Sequence, residues 1–256
     1  MLLAVDCGNT HIVMGIYDGE NLLRHWRLAS DSKKTEDEYV ILLNNLLKIE
    51  GLHITDINQI AIASVVPIVT RCWQYLARAY LGTEAFVIDS SVETGMPILM
   101  DNPGEVGADR IADAVAAYHK YGAPLIVVDF GTATTFDCIS AAGEYLGGAI
   151  VPGIEVSQDA LFAKAALLSK VTLEPPKRIP GKNTAECLQI GIFYGYAAQV
   201  DGIVSKLKQH LTGDIKVIAT GGLAQMICDY SSTIEACDPL LTLEGLKIIY
   251  DRTQRE

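Results

Sequence analysis

Two short phrases in this sequence place a carboxylate, a glycine and hydroxyl side chains where a phosphate and a cation could be held. The first runs Asp6-Cys7-Gly8-Asn9-Thr10, the second Asp129-Phe130-Gly131-Thr132-Ala133-Thr134-Thr135. Laid on one another, they match Val5, Asp6 and Gly8 to Val128, Asp129 and Gly131, each phrase closing an apolar run. A strand that ends in Asp presents a cation ligand, and Gly lets backbone N–H groups approach phosphate oxygens. Asn9 and Thr10 add neutral donors in the first phrase, and three threonines supply hydroxyls in the second. Ordinary turns and β-hairpins favour many of the same residues, so the repetition carries the argument. It predicts two similar halves serving one nucleotide.

A third group, Gly107-Ala108-Asp109-Arg110, opens a helical pattern continued by Ile111, Ala114, Val115 and Tyr118. Asp109 could cap that helix. It could also take a proton from a substrate hydroxyl while Arg110 holds an anion, and phosphoryl transfer asks a protein for little more than such positioning and charge neutralisation. Gly147-Gly148 with Pro152-Gly153, and Thr220-Gly221-Gly222, would let backbone come close to a ligand at strand ends. Asp137, between these groups, reads as structural.

The elements that must position these residues follow from periodicity. Apolar runs at 2–5, 12–17 and 22–28 predict three strands with short turns, an antiparallel meander. Residues 36–50 carry apolar positions at helical spacing and stop at Gly51. A buried strand is expected at 60–66, a helix at 69–81 ended by Gly82, and a strand at 85–88. The second half repeats the order, with strands at 125–129, 134–140 and 145–151, helices at 156–168 and 185–211, a strand at 216–220, and helices at 223–228 and 243–250. Residues 171–183, with three prolines and three cations, read as an ordered loop or lid. The result is an α/β protein with mixed sheets flanked by helices, divided at 1–117 and 118–256.

Composition narrows the function. The chain has 256 residues, half of them apolar, and a net charge of −11. That charge argues against a nucleic-acid partner, which needs a positive surface. An acidic protein that handles a triphosphate must use backbone N–H groups, a few placed cations and a metal ion. Six cysteines (7, 72, 138, 187, 228 and 237) have no metal-like spacing and are expected as reduced, buried thiols. Asp6 interrupts the first apolar run, so no signal peptide is expected. The stretch at 60–69 is far below the ~18 residues of a membrane span. A cytoplasmic protein without membrane contact is the expectation.

The duplication and the order of elements resemble the actin-like ATPase superfamily, which includes sugar kinases, acetate kinase and heat-shock chaperones. The resemblance implies two RNase H-like domains with ATP in the cleft between them, gripped by the first hairpin of each. Taken together and in this order, the five groups of residues resemble the type III pantothenate kinases over essentially the whole chain. That family implies ATP-dependent phosphorylation of pantothenate to 4′-phosphopantothenate, the first step of coenzyme A biosynthesis, by a homodimer that uses Mg²⁺ and a monovalent cation (K⁺ or NH₄⁺). By the same resemblance Asp6, Cys7, Gly8, Asn9, Thr10, His11, Ile12, Val13 and Thr132 contact ATP, with Asp6 near Mg²⁺. Met100, Gly107, Ala108, Asp109, Arg110 and Thr184 contact pantothenate, Asp109 is the general base, and Asp129 binds the monovalent cation. The family usually has Tyr at the place of Met100; Met keeps the packing and loses the hydroxyl. Two other readings use the same residues: a sister phosphotransferase or phosphohydrolase, and a nucleotide-sensing regulator without turnover.

Overall fold

The computed structural model describes residues 1–89, 91–165 and 171–254. The chain divides into two compact units. The first comprises Met1–Gly95, Asp101–Ala116 and the chain from Leu241 onward; the second comprises Met96–Met100 and Ala117–Leu240.

In the first unit, β1 (Leu2–Cys7), β2 (His11–Asp18) and β3 (Asn21–Ala29) form the expected meander, and β4 (Gln59–Ser64) and β5 (Phe86–Val87) extend it in the order β3-β2-β1-β4-β5. β1 is central, antiparallel to β2 and parallel to β4. Side chains alternate between faces. Val5, Cys7, Ile12 and Met14 point to one face, where Tyr39 and Leu43 of α1 (Glu36–Ile49) and Trp73 of α2 (Pro67–Leu76) complete a buried core. A capping box starts α1: the Thr35 hydroxyl accepts from the Glu38 N–H while the Glu38 carboxylate accepts from the Thr35 N–H. The single helix expected over 69–81 is α2 from Pro67, followed by a π-helical turn, Ala77–Leu81, that Gly82 ends in the left-handed conformation.

The opposite face of this sheet is covered by α7 (Leu241–Thr253), which packs on β1, β2 and β4. This corrects the sequence boundary, which leaves the last helix in the second half. The reason is steric and apolar: Leu241, Leu243, Leu246 and Ile249 are buried in this unit. α7 also meets α3 (Ala108–Tyr121) backbone to backbone, because Gly245 lies against Ala112.

In the second unit, β6 (Leu125–Phe130), β7 (Ala133–Ile139), β8 (Tyr145–Pro152), β9 (Lys216–Thr220) and β10 (Ala236–Cys237) are ordered β10-β9-β6-β7-β8. β6 repeats the place of β1, antiparallel to β7 and parallel to β9. Phe130 and Phe136 pack against Phe193 and Val200 of α5 (Thr184–Lys208). The helix expected at 156–168 is α4 (Ile154–Lys164), and residues 166–168 lie outside the described ones. α6 (Ala224–Cys228) is short, and β10, two residues long, offers no alternation for a sequence reading to find. All six cysteines are free, but only Cys7 and Cys138 are buried and Cys187 is exposed, against the expectation of six buried thiols.

The Gly245 crossing yields a test. A Cβ at Gly245 would overlap the Ala112 carbonyl, so Gly245→Ala is expected to cost about 2 kcal/mol or more. In thermal unfolding that is a loss of roughly 4–8 °C. An unchanged midpoint would contradict the close crossing.

Candidate functional site

In the first unit the chemistry gathers where β1 ends. Asp6 is half-buried and lies on the α7 face, between Val5 and Cys7, which point the other way. The turn that follows is closed by Gly8 N–H donating to the His11 carbonyl at 3.0 Å, and the Ser30 N–H donates to the Thr10 carbonyl at 2.9 Å, tying the end of β3 to the turn. Asn9, Thr10 and His11 are exposed. Cys7 and Ile12 are fully buried in the core, so within 6–13 these two can offer a ligand only their backbone. Burial, and after it the Asp6 carboxylate, hold the Cys7 thiol well above its usual range, which keeps it protonated.

The Gly107–Arg110 group arrives at the same end of this sheet. The Val65 N–H donates to the Cys7 carbonyl at 3.2 Å, and the Val65 side chain lies beside Gly107. Gly107 precedes α3 and accepts from the Ile111 N–H. A Cβ at Gly107 would overlap Asp109 Oδ1, so the glycine is what lets the carboxylate fold back over the helix start. Asp109 Oδ1 accepts from the Arg110 N–H at 2.8 Å. The carboxylate therefore does part of the work of a cap, from inside the first turn. Its other oxygen has no hydrogen bond among the described residues, which leaves a positioned acceptor for a substrate proton.

One turn along α3, Asp113 is buried and accepts from the Thr242 hydroxyl at 2.7 Å. Sequence reasoning passed over it. Its signal was a carboxylate four residues after Asp109 amid the apolar Ile111, Ala112 and Ala114.

In the second unit Asp129 ends β6 as Asp6 ends β1. Its register partners are Thr135 on β7 and Thr220 on β9. Gly221, at φ +93°, presses on it so closely that a Cβ there would overlap Asp129 Oδ1; a Cβ at Gly131 would stand 3.3 Å from Oδ2. The carboxylate thus sits in a cradle of two glycines. Nearby, the Gly153 N–H donates to the Thr132 carbonyl at 3.1 Å, and Gly153 has no room for a side chain beside the carbonyls of Gly131 and Thr132.

The three threonines do not act alike. Thr132 is exposed. Thr134 is buried, and its hydroxyl has no hydrogen-bond partner among the described residues. The Thr135 hydroxyl donates at 3.1 Å to Asp137, which also accepts from the Tyr145 hydroxyl. Asp137 is fully buried on the same face as Asp129, and together with burial it pushes the Cys138 thiol up to about 12, burial being the larger cause. Of these three threonines only Thr132 is exposed, against the expectation that all three present their hydroxyls.

Gly147, at φ +96°, makes room for Met100, whose Sδ lies 2.6 Å from where a Cβ would stand, and Gly148 lies against the Phe136 carbonyl. Internal packing therefore accounts for the Gly147-Gly148 pair. The Met100 segment joins the sheet, with Leu99 N–H donating to the Tyr145 carbonyl and Tyr145 N–H to the Pro97 carbonyl, both at 2.8 Å. Thr184 is exposed as the first residue of α5. The turn before it is clamped by Glu186, which accepts from Arg178 Nε at 2.9 Å and the Lys182 N–H at 2.7 Å. The stretch 171–183 is thus an ordered loop at that end.

Among the described residues no group of three or more Asp, Glu, His or Cys side chains could hold a metal ion. A lone carboxylate plus substrate phosphates is still an adequate Mg²⁺ site, and Asp6 beside a glycine turn fits it. Asp129 offers carboxylate oxygens, the donor type a hard cation takes.

Comparison with known proteins adds three findings. A family model described as type III pantothenate kinase matches residues 2–206. A type III pantothenate kinase from Moorella thermoacetica is 53% identical over 252 residues, covering 98% of this chain and 99% of that protein; one from Geotalea uraniireducens is 51% identical over 254 residues, covering 99% of each. Among solved structures, the activator of the 2-hydroxyisocaproyl-CoA dehydratase from Clostridium difficile with bound ADPNP aligns with a TM-score of 0.60 at 12% identity, over 99% of this chain and 96% of that one. This last likeness concerns fold alone.

The glycine cradle can be tested by a double-mutant cycle. Gly221→Ala is expected to lower the unfolding midpoint, and combining it with Asp129→Ala is expected to cost less than the sum of the two, by about 1 kcal/mol. Strict additivity would mean that the carboxylate does not lie on Gly221.

Proposed function

Since the chain belongs to the type III pantothenate kinase family, we propose that it transfers the γ-phosphoryl group of ATP to the primary hydroxyl of pantothenate. The product is 4′-phosphopantothenate, the first step of coenzyme A biosynthesis. The observation that carries this reading is Asp109: a carboxylate pinned by one oxygen at a helix start, with the other oxygen available, at the end of the sheet where the Asp6 turn stands.

The geometry within each unit supports the roles that the family resemblance implies. The backbone of the 8–11 turn, with Asn9 and Thr10, receives phosphate oxygens through neutral donors. Asp6 would hold Mg²⁺, and Asp129 would hold K⁺ or NH₄⁺. Bound there, these cations would offset the charge of the triphosphate and of the phosphoryl group in transfer. Thr132 offers the hydroxyl of the second phrase to ATP. Gly107, Ala108 and Arg110 orient pantothenate, and Asp109 accepts the proton of its hydroxyl during in-line attack. Met100 packs against the aliphatic part of pantothenate, its own place set by Gly147, and Thr184 adds a substrate contact.

The homodimer reading draws support from Val156, Leu161 and Tyr194, exposed on α4 and α5. Among the described residues no helix is long and apolar enough to cross a membrane, and a cytoplasmic setting suits the proposed substrates.

Asp109→Asn keeps an oxygen for the Arg110 N–H and removes the base. Turnover of ATP with pantothenate is expected to fall by roughly two to four powers of ten with the unfolding midpoint unchanged. Near-normal turnover would remove Asp109 from the role, and ATP consumption indifferent to pantothenate would overturn the proposed acceptor.

A further inference from the structure

An arginine that no motif singles out stands in line with the proposed phosphate site. Across the first sheet, Asp6 of β1 is in register with Val13 of β2, and Val13 with Arg27 of β3. All three lie on one face. Ile12, Met14, Trp26 and Leu28, their neighbours in sequence, pack into the core on the other. Adjacent strands are ~4.8 Å apart, which puts the Arg27 backbone roughly 10 Å from that of Asp6. An extended arginine side chain covers most of that span. The bond from Ser30 N–H to the Thr10 carbonyl fixes the end of β3 to the glycine turn itself, which brings the turn within reach of an extended side chain at Arg27.

Its charge is uncommitted. Nearby Arg24 is paired with Glu50 at 2.7 Å and Lys34 with Asp31 at 3.8 Å. Arg27 is exposed and, among the described residues, has no carboxylate or hydrogen-bond partner, although the chain carries 31 acidic residues. Edge strands do carry charges that prevent strand pairing, and the exposed Arg24 is suited to that purpose on β3. An unpaired, planar, five-donor cation on the Asp6 face is matched to a phosphate in a way a surface charge need not be.

We propose that Arg27 binds the β- or γ-phosphate of the nucleotide, supplying in the first unit the fixed positive charge that the 8–11 turn lacks. The inference rests on the kinase reading only for the identity of the anion.

The test is a calorimetric titration of wild type, Arg27→Gln and Arg27→Lys with ATP, ADP and AMP, with the unfolding midpoint of each. Arg27→Gln is expected to weaken ATP binding roughly 10- to 100-fold, to leave AMP binding and the midpoint unchanged, and to be partly rescued by Lys. Unchanged ATP and ADP affinity in Arg27→Gln would overturn the assignment. So would equal losses for ATP and AMP accompanied by a lower midpoint, the mark of a structural role. Wild-type phosphorylation of pantothenate is measured alongside. Its absence would overturn the kinase reading, whereas the titration alone decides the role of Arg27.

Discussion

The repulsion between a triphosphate and the carboxylates that end the central strand of each sheet is the constraint on which the rest of this molecule depends. Two unit charges 4 Å apart interact by about 4 kcal/mol at the effective dielectric of a protein surface, so a bare Asp beside a phosphate is untenable. The sequence nevertheless keeps an Asp at the end of both β1 and β6 and follows each with a turn that carries no carboxylate. Backbone N–H groups, glycines, threonines and asparagine make up the turns. The arrangement makes sense when each carboxylate is a cation ligand, because a bound cation turns the same residue from a repeller of phosphate into its anchor.

Holding those carboxylates in place is mostly the work of residues without side chains. Gly107 gives Asp109 its space at the start of α3, and Gly221 gives Asp129 its space after β9. Further from the chemistry, Gly147 admits Met100 and Gly245 admits the backbone of α3. None of these positions tolerates a Cβ without moving a neighbour. The fold itself hosts other chemistry, as its likeness to a dehydratase activator at 12% identity indicates, so the functional reading depends on these site residues and on the family rather than on the architecture.

Much of this was legible in the sequence because the relevant signals are local. An apolar run ending in Asp and then Gly needs no tertiary partner to be recognised, and the second copy made it specific. The first meander and the helix expected over 36–50, found at Glu36–Ile49, were equally readable from their periods. What stayed hidden depends on contacts between distant segments. The side on which α7 packs is decided by Gly15, Gly245 and the apolar face of one sheet, not by the helix pattern itself. Thr134 and Thr135 look alike in sequence, yet strand alternation sends one hydroxyl into the core and the other to the buried Asp137. Gly147-Gly148 looked like a ligand loop and proves to be a packing device. Arg27 carried no signal at all until strand register aligned it with Asp6.

The central claim is that Asp129 is a cation site rather than a structural carboxylate. Titrating potassium at constant ionic strength, with sodium as the balance, and following pantothenate-dependent ADP formation tests it most directly when wild type and Asp129→Asn are compared. The account predicts saturable stimulation of the wild type by potassium and loss of that dependence, with low turnover throughout, in the variant. An Asp129→Asn protein that keeps the wild-type potassium response would contradict it.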